Sequence, residues 1–345
     1  MIDNTMNKKA IIICSGGLDS TTLLHEMIKE EKYKPEEILA VSYYYGQRHS
    51  LELDCAKYQC KLLNVEHKII PLVEFMRSYK SALTRADIEV PHIKDVLGDP
   101  QPPTYVPFRN QTFLTIICGI AESVGATKIY YGAQMHDLYG YFDCTKEFIT
   151  RFNNLISLNR KHQIELITPF ANFSKAQIAQ KAIDLKVDLS HTWSCYNPIT
   201  ENSFWQPNDN VLNEEWVVGF IEGEGCFTRQ HQDGKYYPVI SVSQKEEEII
   251  EKISEFFNMG SVTKHSKNNG VYELKIQGVS NCKKIASWLN GKLKSEKRIK
   301  RFREWINEFN LFTLDNVKCC GVCPTCSERK KAFAEIKQED GVKYN

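Results

Sequence analysis

The sequence predicts an α/β protein: a doubly wound parallel sheet, interrupted by an inserted α+β domain and closed by a C-terminal cysteine knuckle. Three observations carry this. From Lys9 to about Leu189, apolar β-branched strands alternate with helical patterns, the signature of a parallel sheet covered on both faces. A glycine loop, Ser15-Gly16-Gly17-Leu18-Asp19-Ser20, joins the first strand to the first helix. The character of the chain changes after Pro198 and changes back at Lys318. The expected divisions are therefore 1–198, 199–317 and 318–345.

Each element follows from its pattern. Strands are expected at Ala10–Cys14, Ile38–Tyr45, Lys68–Leu72 and Lys128–Gly132, where short apolar runs are bounded by turn residues. Helices are expected at Ser20–Glu30, Ser50–Leu63, Gln111–Val124, Thr145–Leu158 and Lys175–Leu185. The stretch Glu89–Pro107 carries Pro91, Pro100, Pro102, Pro103 and Pro107 and reads as a long loop or lid. Beyond Pro198, a strand at Tyr237–Val242, a helix at Glu246–Phe257, strands near Val262 and at Val271–Ile276, and a helix at Asn281–Leu289 are expected.

The 345 residues suggest two domains, and 42% hydrophobic with 25% charged residues describes a globular chain. A net charge of +1 gives no global argument for a nucleic-acid partner. No apolar run approaches the ~20 residues of a membrane span, and the N-terminus MIDNTMNKK shows no secretory leader. The expectation is a cytoplasmic protein with no membrane partner. Twelve cysteines in that setting are reduced thiols, some of them metal ligands, rather than a disulfide framework.

The loop after the first strand has the chemistry of a phosphate cradle. Its glycines admit close backbone approach, and the N–H groups opening the next helix favour an anion. Ser15 and Ser20 add hydroxyl donors, and Asp19 offers oxygen to magnesium. It is neither GxxxxGK[ST] nor GxGxxG, and a plain strand-to-helix turn is the alternative. The loop resembles the SGGxDS motif of N-type ATP pyrophosphatases, which split ATP between its α and β phosphates. That resemblance implies an adenine nucleotide alpha hydrolase-like fold, with ATP held by Cys14, Ser15, Gly16, Gly17, Leu18, Asp19, Ser20, Thr21, Thr22, Leu23 and Leu24.

Further motifs keep order along the chain: Tyr45-Gly46-Gln47-Arg48-His49, Thr104–Asn110, Gly132–Ile149 (GAQMHDLYGYFDCTKEFI), Thr168-Pro169 and Ser174-Lys175. Together with the cradle they resemble the 7-cyano-7-deazaguanine synthase family of queuosine precursor biosynthesis, over about residues 8–198 and 318–334. Arg109 can grip phosphate or carboxylate bidentately, or form a loop salt bridge. Asp137 and Asp143 can read the N1–H and amine of a guanine-like base, or hold a metal. Tyr43, Tyr44, Tyr45 and Tyr141 can stack on a flat heterocycle, or fill the core. The resemblance implies Asp19 and Arg109 as catalytic residues. It implies Tyr45, Gln47, Arg48, Arg109, Asn110, Asp137, Tyr141 and Asp143 as substrate contacts. The family usually has glycine at Phe108, a small residue near Tyr139 and proline near Phe142.

Cys320, Cys323 and Cys326 stand at CxxCxxC spacing, which aims several thiolates at one ion; a redox dithiol is the alternative. The family resemblance supplies Cys195 as fourth zinc ligand, although 124 residues separate it from Cys320. Cys319 is a competing ligand.

The intervening segment carries Gly219-Phe220-Ile221-Glu222-Gly223-Glu224-Gly225, which resembles the LAGLIDADG motif of homing endonucleases. That likeness implies Glu224 as an acid holding a divalent metal at a scissile phosphate, and Ile240–Lys245 as part of a DNA-facing sheet. Between Lys264 and Arg303, twelve Lys and Arg face only Glu273 and Glu296, a local balance of +10 that suits double-stranded DNA. A solvated helix face reads the same. One motif implies a homodimer or an inactive relic. Asn316-Val317-Lys318-Cys319 lacks the His-Asn-Cys of a splicing junction, which argues against self-excision.

The chemistry implied is conversion of 7-carboxy-7-deazaguanine and ammonia to 7-cyano-7-deazaguanine through an adenylate, using ATP, Mg2+ and Zn2+. Two alternatives stand beside it: an active endonuclease insert with impaired synthase halves, or another ATP pyrophosphatase-type ligase.

Overall fold

The structure, a computed structural model, describes residues 8–47, 51–76, 78–84, 88, 90–96, 99, 101–134, 141–196, 198–200, 207–265, 270–290, 292–309, 311 and 317–344. The chain forms two compact units, Met1–Pro198 with Lys318–Asn345, and Ile199–Val317. The first unit opens with β1 (Ala10–Ile13), α1 (Leu18–Lys29), β2 (Ile38–Tyr44), α2 (Leu51–Leu62), β3 (Glu66–Pro71) and α3 (Val73–Met76). It continues through α4 (Arg109–Val124), β4 (Lys128–Tyr130), α5 (Lys146–Ile156), β5 (Glu165–Ile167) and α6 (Lys175–Asp184). The second unit holds β6 (Ile199–Thr200), α7 (Glu214–Glu224), β7 (Cys226–Gln232), β8 (Lys235–Gln244), α8 (Glu247–Phe257), β9 (Ser261–His265), β10 (Val271–Gln277), α9 (Val279–Leu289) and α10 (Glu296–Glu308). β11 (Val317–Lys318) and α11 (Pro324–Glu335) follow, and β11 pairs with β6.

The sheet of the first unit has the order β3-β2-β1-β4-β5, with every pair parallel. β1 buries both faces, as a central parallel strand must. Ala10 and Ile12 pack with Leu23, Leu24 and Met27 of α1, Ala179 of α6 and Phe333 of α11. Ile11 packs the other way, with Leu114 and Ile117 of α4 and Phe152 of α5. Chain order reverses between β1 and β4, so the loop after β1 lies at the sheet's switch point, where open α/β sheets bind ligands. β5 is a strand the sequence pattern does not announce. Three residues are too few to show a period, and only pairing with β4 defines it. Within the described part of the proline-rich stretch, the Ala82 N–H donates to the Pro103 carbonyl at 2.7 Å.

The second unit is an antiparallel sheet, β7-β8-β10-β9. One face, with Phe227, Ile240, Val242, Leu274 and Ile276, forms a core with Val217 and Ile221 of α7, Phe256 of α8, Trp288 of α9 and Trp305 of α10. The alternate residues, including Thr228, Ser241, Ser243, Thr263 and Lys275, follow the opposite register and form a polar face. α7 begins where the Asn213 side chain accepts from the Trp216 N–H at 3.1 Å, an N-cap. Among the described residues, no helix is long and apolar enough to cross a membrane.

Candidate active site and metal centre

The loop Ser15–Ser20 is tied to itself. The Ser15 and Ser20 hydroxyls lie 2.9 Å apart, the Ser15 N–H donates to Ser20 Oγ at 3.1 Å, and the Gly17 N–H donates to Ser15 Oγ at 3.2 Å. Gly16 has φ +85°, and a Cβ there would fall 1.9 Å from the Glu52 carbonyl oxygen. The glycine is therefore needed twice, for its backbone conformation and for contact with the first turn of α2. A Cβ on Gly132, just past β4, would lie 3.5 Å from the Ser20 nitrogen, so the end of β4 flanks the cradle.

Only part of the eleven-residue cradle prediction offers a surface to a nucleotide. Ser15, Gly17 and Asp19 are accessible, whereas Cys14, Thr21, Thr22, Leu23 and Leu24 are completely buried. Leu23 and Leu24 are α1 core residues, and the Thr22 hydroxyl donates to the Leu18 carbonyl at 2.7 Å within the helix. In the structure these side chains build the loop's support. Asp19 is not free either. Lys175 Nζ donates to both its carboxylate oxygens, at 2.7 and 2.6 Å. Lys175 is placed by a capping box in which the Ser174 hydroxyl accepts from the Gln177 N–H and the Gln177 side chain accepts from the Ser174 N–H.

Arg109 is the first residue of α4. Its Nε donates to Asn110 Oδ1 at 3.2 Å, and Asn110 Nδ2 donates to Asp143 Oδ1 at 3.1 Å. Asn110 and Asp143 are both buried. They orient the guanidinium more than they present themselves to a ligand. The Arg109 guanidinium lies 5.9 Å from the Tyr45 ring centroid, and the hydroxyls of Tyr45, Tyr196, Tyr141 and Tyr131 are near enough to act on its charge. Burial raises the Tyr45 hydroxyl to about 12, against the pull of Arg109. Tyr141 stacks on Tyr105 at 5.8 Å. Tyr43, by contrast, is a core residue stacked on Phe113 at 4.0 Å.

Gln47 is buried, and its side chain is spent on the loop. Its Oε1 accepts from the Tyr45 N–H at 2.9 Å, and its Nε2 donates to the Tyr43 carbonyl at 3.2 Å and to Glu52 Oε1 at 3.0 Å. Glu52 escaped the sequence reading. Burial lifts its carboxyl above the usual range to about 7, with Gln47 and Arg109 drawing it back only in part. It stands three residues past His49, where the quoted motif ends. Lys175 and Tyr196 were not named as site residues, though Lys175 stands in the Ser174-Lys175 motif and Tyr196 follows Cys195. Arg48 and Asp137 lie outside the described residues. Phe108, where the family usually has glycine, adopts φ +51°, the left-handed region that glycine enters without strain; its exposed ring meets Phe142 edge-on at 5.3 Å.

The predicted thiols converge. The sulfur atoms of Cys195, Cys320, Cys323 and Cys326, all buried, lie within 4.8 Å of one another. Tetrahedral zinc at ~2.3 Å from each sulfur needs S–S separations of about 3.8 Å, so the donor set fits zinc. The Cys320 N–H donates to Cys195 Sγ at 3.2 Å and the Cys323 N–H to Cys320 Sγ at 3.4 Å, which steadies thiolate charge. Cys319 is outside this group of four; its backbone N–H donates to the Lys343 carbonyl at 2.7 Å.

In the second unit, Glu224 is the exposed last residue of α7. Arg298 Nε donates to the Glu222 carbonyl and Nη2 to the Gly223 carbonyl, both at 2.6 Å, and Nη1 donates to the Gly225 carbonyl. Most of the basic run lies on α9, α10 and their connection, while Lys275 is on the polar sheet face.

Comparison with known proteins agrees with this division. The family described as "Queuosine biosynthesis protein QueC" matches residues 9–204, and the family "LAGLIDADG endonuclease" matches residues 217–309. The chain is 42% identical over 205 residues to a 7-cyano-7-deazaguanine synthase of Pelobacter propionicus, covering 57% of this chain and 87% of that protein. It is 39% identical over 188 residues to one of Caldicellulosiruptor bescii, covering 54% and 83%. Among solved structures, the homing endonuclease I-TnaI is 28% identical, with 29% of this chain and 72% of that one covered and a TM-score of 0.25. The chain belongs to the QueC family of queuosine biosynthesis proteins and carries a LAGLIDADG endonuclease domain in its second unit.

Proposed function

We propose that the first unit is a 7-cyano-7-deazaguanine synthase, a cytoplasmic ligase acting on 7-carboxy-7-deazaguanine, ammonia and ATP. The observation that carries this is the placement of the Ser15–Ser20 cradle at the sheet's switch point, with Lys175 beside it and Arg109 within electrostatic reach of tyrosines. The loop amides and Lys175 hold the phosphates, and Asp19 holds magnesium. Arg109 pairs the substrate carboxylate and aims it at the α phosphate, while Tyr45, Tyr141 and Tyr196 flank the flat base. The carboxylate oxygen attacks phosphorus, pyrophosphate leaves and an adenylate forms. Ammonia displaces AMP to give an amide, and a second activation removes water to give the nitrile. Most of the rate comes from positioning and charge neutralisation. Zinc, held by Cys195, Cys320, Cys323 and Cys326, fastens the 318–345 segment to the fold. Purified protein incubated with the acid, ammonium and Mg-ATP is expected to yield the nitrile. A zinc-loaded, folded protein that yields none refutes the assignment.

A second reading concerns the insert. α7 leaves Gly219 and Gly223 facing open space, since a Cβ on either meets nothing within 4 Å, and Trp216 is exposed beside them. We propose that this face pairs with a second copy, forming a homodimer whose polar sheet faces carry double-stranded DNA and whose Glu224 residues hold the cutting metals. The test is DNA cleavage by the intact protein, which Glu224→Gln must abolish while leaving DNA binding in place.

A further inference from the structure

The active-site wall contains one carboxylate to which neither the sequence motifs nor the proposed mechanism gives a task. Glu52 lies in the first turn of α2. Its backbone carbonyl abuts Gly16 of the cradle closely enough to forbid a Cβ there. Its side chain is held by the Gln47 amide at 3.0 Å and feels the charge of Arg109. The residue thus touches the phosphate loop with its backbone, and its carboxylate, held by Gln47, lies within electrostatic reach of Arg109. Adenylate formation leaves a task for such a group, because the nitrogen donor is ammonium at neutral pH and carries no free lone pair.

Resting on the synthase reading above, we infer that Glu52 is the general base that prepares the nitrogen nucleophile. Glu52 takes one proton from ammonium. The freed lone pair forms the C–N bond at the adenylated carboxyl carbon. The C–O bond to the AMP phosphate breaks, AMP departs with that electron pair, and the nitrogen sheds its surplus proton to water. Gln47 orients the carboxylate and keeps its lone pairs directed. Half-burial, with Tyr45 also beside it, holds the carboxyl near neutrality, where a base is most effective.

The test separates activation from amidation. The variant is Glu52→Gln, which keeps the shape and an oxygen for Gln47. Three rates are compared with the parent protein: acid-dependent ATP–pyrophosphate exchange, product formation from ammonium, and hydroxamate formation from hydroxylamine, which is uncharged at neutral pH. Exchange and hydroxamate formation are expected within about threefold of the parent, with the ammonium reaction down ~100-fold or more, the usual worth of a general base. Parallel loss of all three overturns the inference by making Glu52 structural, and so does an unchanged ammonium rate. Absence of acid-dependent exchange in the parent protein overturns the synthase reading itself, and the base assignment with it.

Discussion

The backbone N–H of Trp193 donates to the carbonyl of Gly16 at 2.9 Å. One end of this bond is the phosphate cradle, and the other is two residues from the thiol Cys195. The same segment is gripped from behind. Buried Arg329 donates to the Thr192 hydroxyl at 2.9 Å and to Asp340 at 2.6 Å, and the Thr325 hydroxyl donates to the Ser194 carbonyl at 2.6 Å. The four-cysteine cluster and the loop Ser15–Ser20 therefore share one short piece of chain.

That link makes metal content visible in nucleotide affinity. Removing zinc by chelation, or the ligand by Cys195→Ser, frees 192–196 and loosens Gly16, because a structural metal's binding energy is folding energy. KM for ATP is expected to rise about tenfold, with a lower thermal midpoint for the first unit. Metal analysis alongside pyrophosphate-release kinetics checks both. Unchanged KM in metal-free, folded protein would sever the link.

Lys175 and Asp19 form a largely shielded pair, 12% and 22% exposed. Lys175→Met leaves the Asp19 carboxylate without its cation and, on the synthase reading, removes a phosphate partner. Losing one preorganised charge at a phosphoryl-transfer site costs roughly 10²–10³ in kcat. The expected result is that loss, together with a lowered thermal midpoint from the unpaired, largely shielded carboxylate. Steady-state kinetics and a melting curve on the same sample decide it.

Legibility of the sequence follows physical scale. β1 and β2 were readable because both faces are buried, so nearly every residue is apolar, with Ser42 the exception, and the cradle because glycine is the residue φ +85° demands. β5 was not, since its identity comes from its partner strand. Thr21 to Leu24, named with the cradle, have buried side chains, and a helix start packed for the core looks the same in one dimension as one that meets a ligand. Three of the four thiols were readable because CxxCxxC spacing is chemically sparse, whereas Cys195, 124 residues away, came only from the family resemblance. Glu52 was invisible: a Glu in the first turn of a helix is what the dipole favours anyway, and only its contacts with Gly16 and Gln47 distinguish it.

Glu52 also gives the first unit a pH-dependent weakness. The folded chain holds its proton up to about pH 7, against an ordinary value of 4.5, so the folded state binds more protons than the unfolded one between those values. Below about pH 4.5 both states are protonated and the residue costs nothing. Stability is lost as pH rises from there, and the full penalty stands above about pH 7. Glu52→Gln removes it. The variant is expected to exceed the parent protein by about 1–3 kcal/mol at pH 8 and to match it near pH 4.5. Urea titrations of the first unit at both values measure the difference; an equal gain at both pH values would show that charge is not its source.

Arg298 closes the end of the LAGLIDADG helix. The last carbonyls of a helix have no partner within it, and a cation is favoured there. One guanidinium serves two of them, at Glu222 and Gly223, and also the carbonyl of Gly225 just past the helix. The Glu222 carboxylate returns the brace, accepting from the Lys294 and Ser295 N–H groups at 2.5 Å each, so the end of α7 and the start of α10 are tied in both directions with Glu224 between them. Arg298→Ala breaks one direction and leaves three carbonyls to water, for a loss of about 2–3 kcal/mol in the second unit. Arg298→Lys restores a charge but not the planar fork and should recover less than half of that. Glu224→Gln, at an exposed site, should leave stability unchanged while abolishing any DNA cleavage. Calorimetry of the second unit's transition in the intact protein ranks the three variants. Arg298→Ala melting with the parent protein would show that the brace does not hold α7.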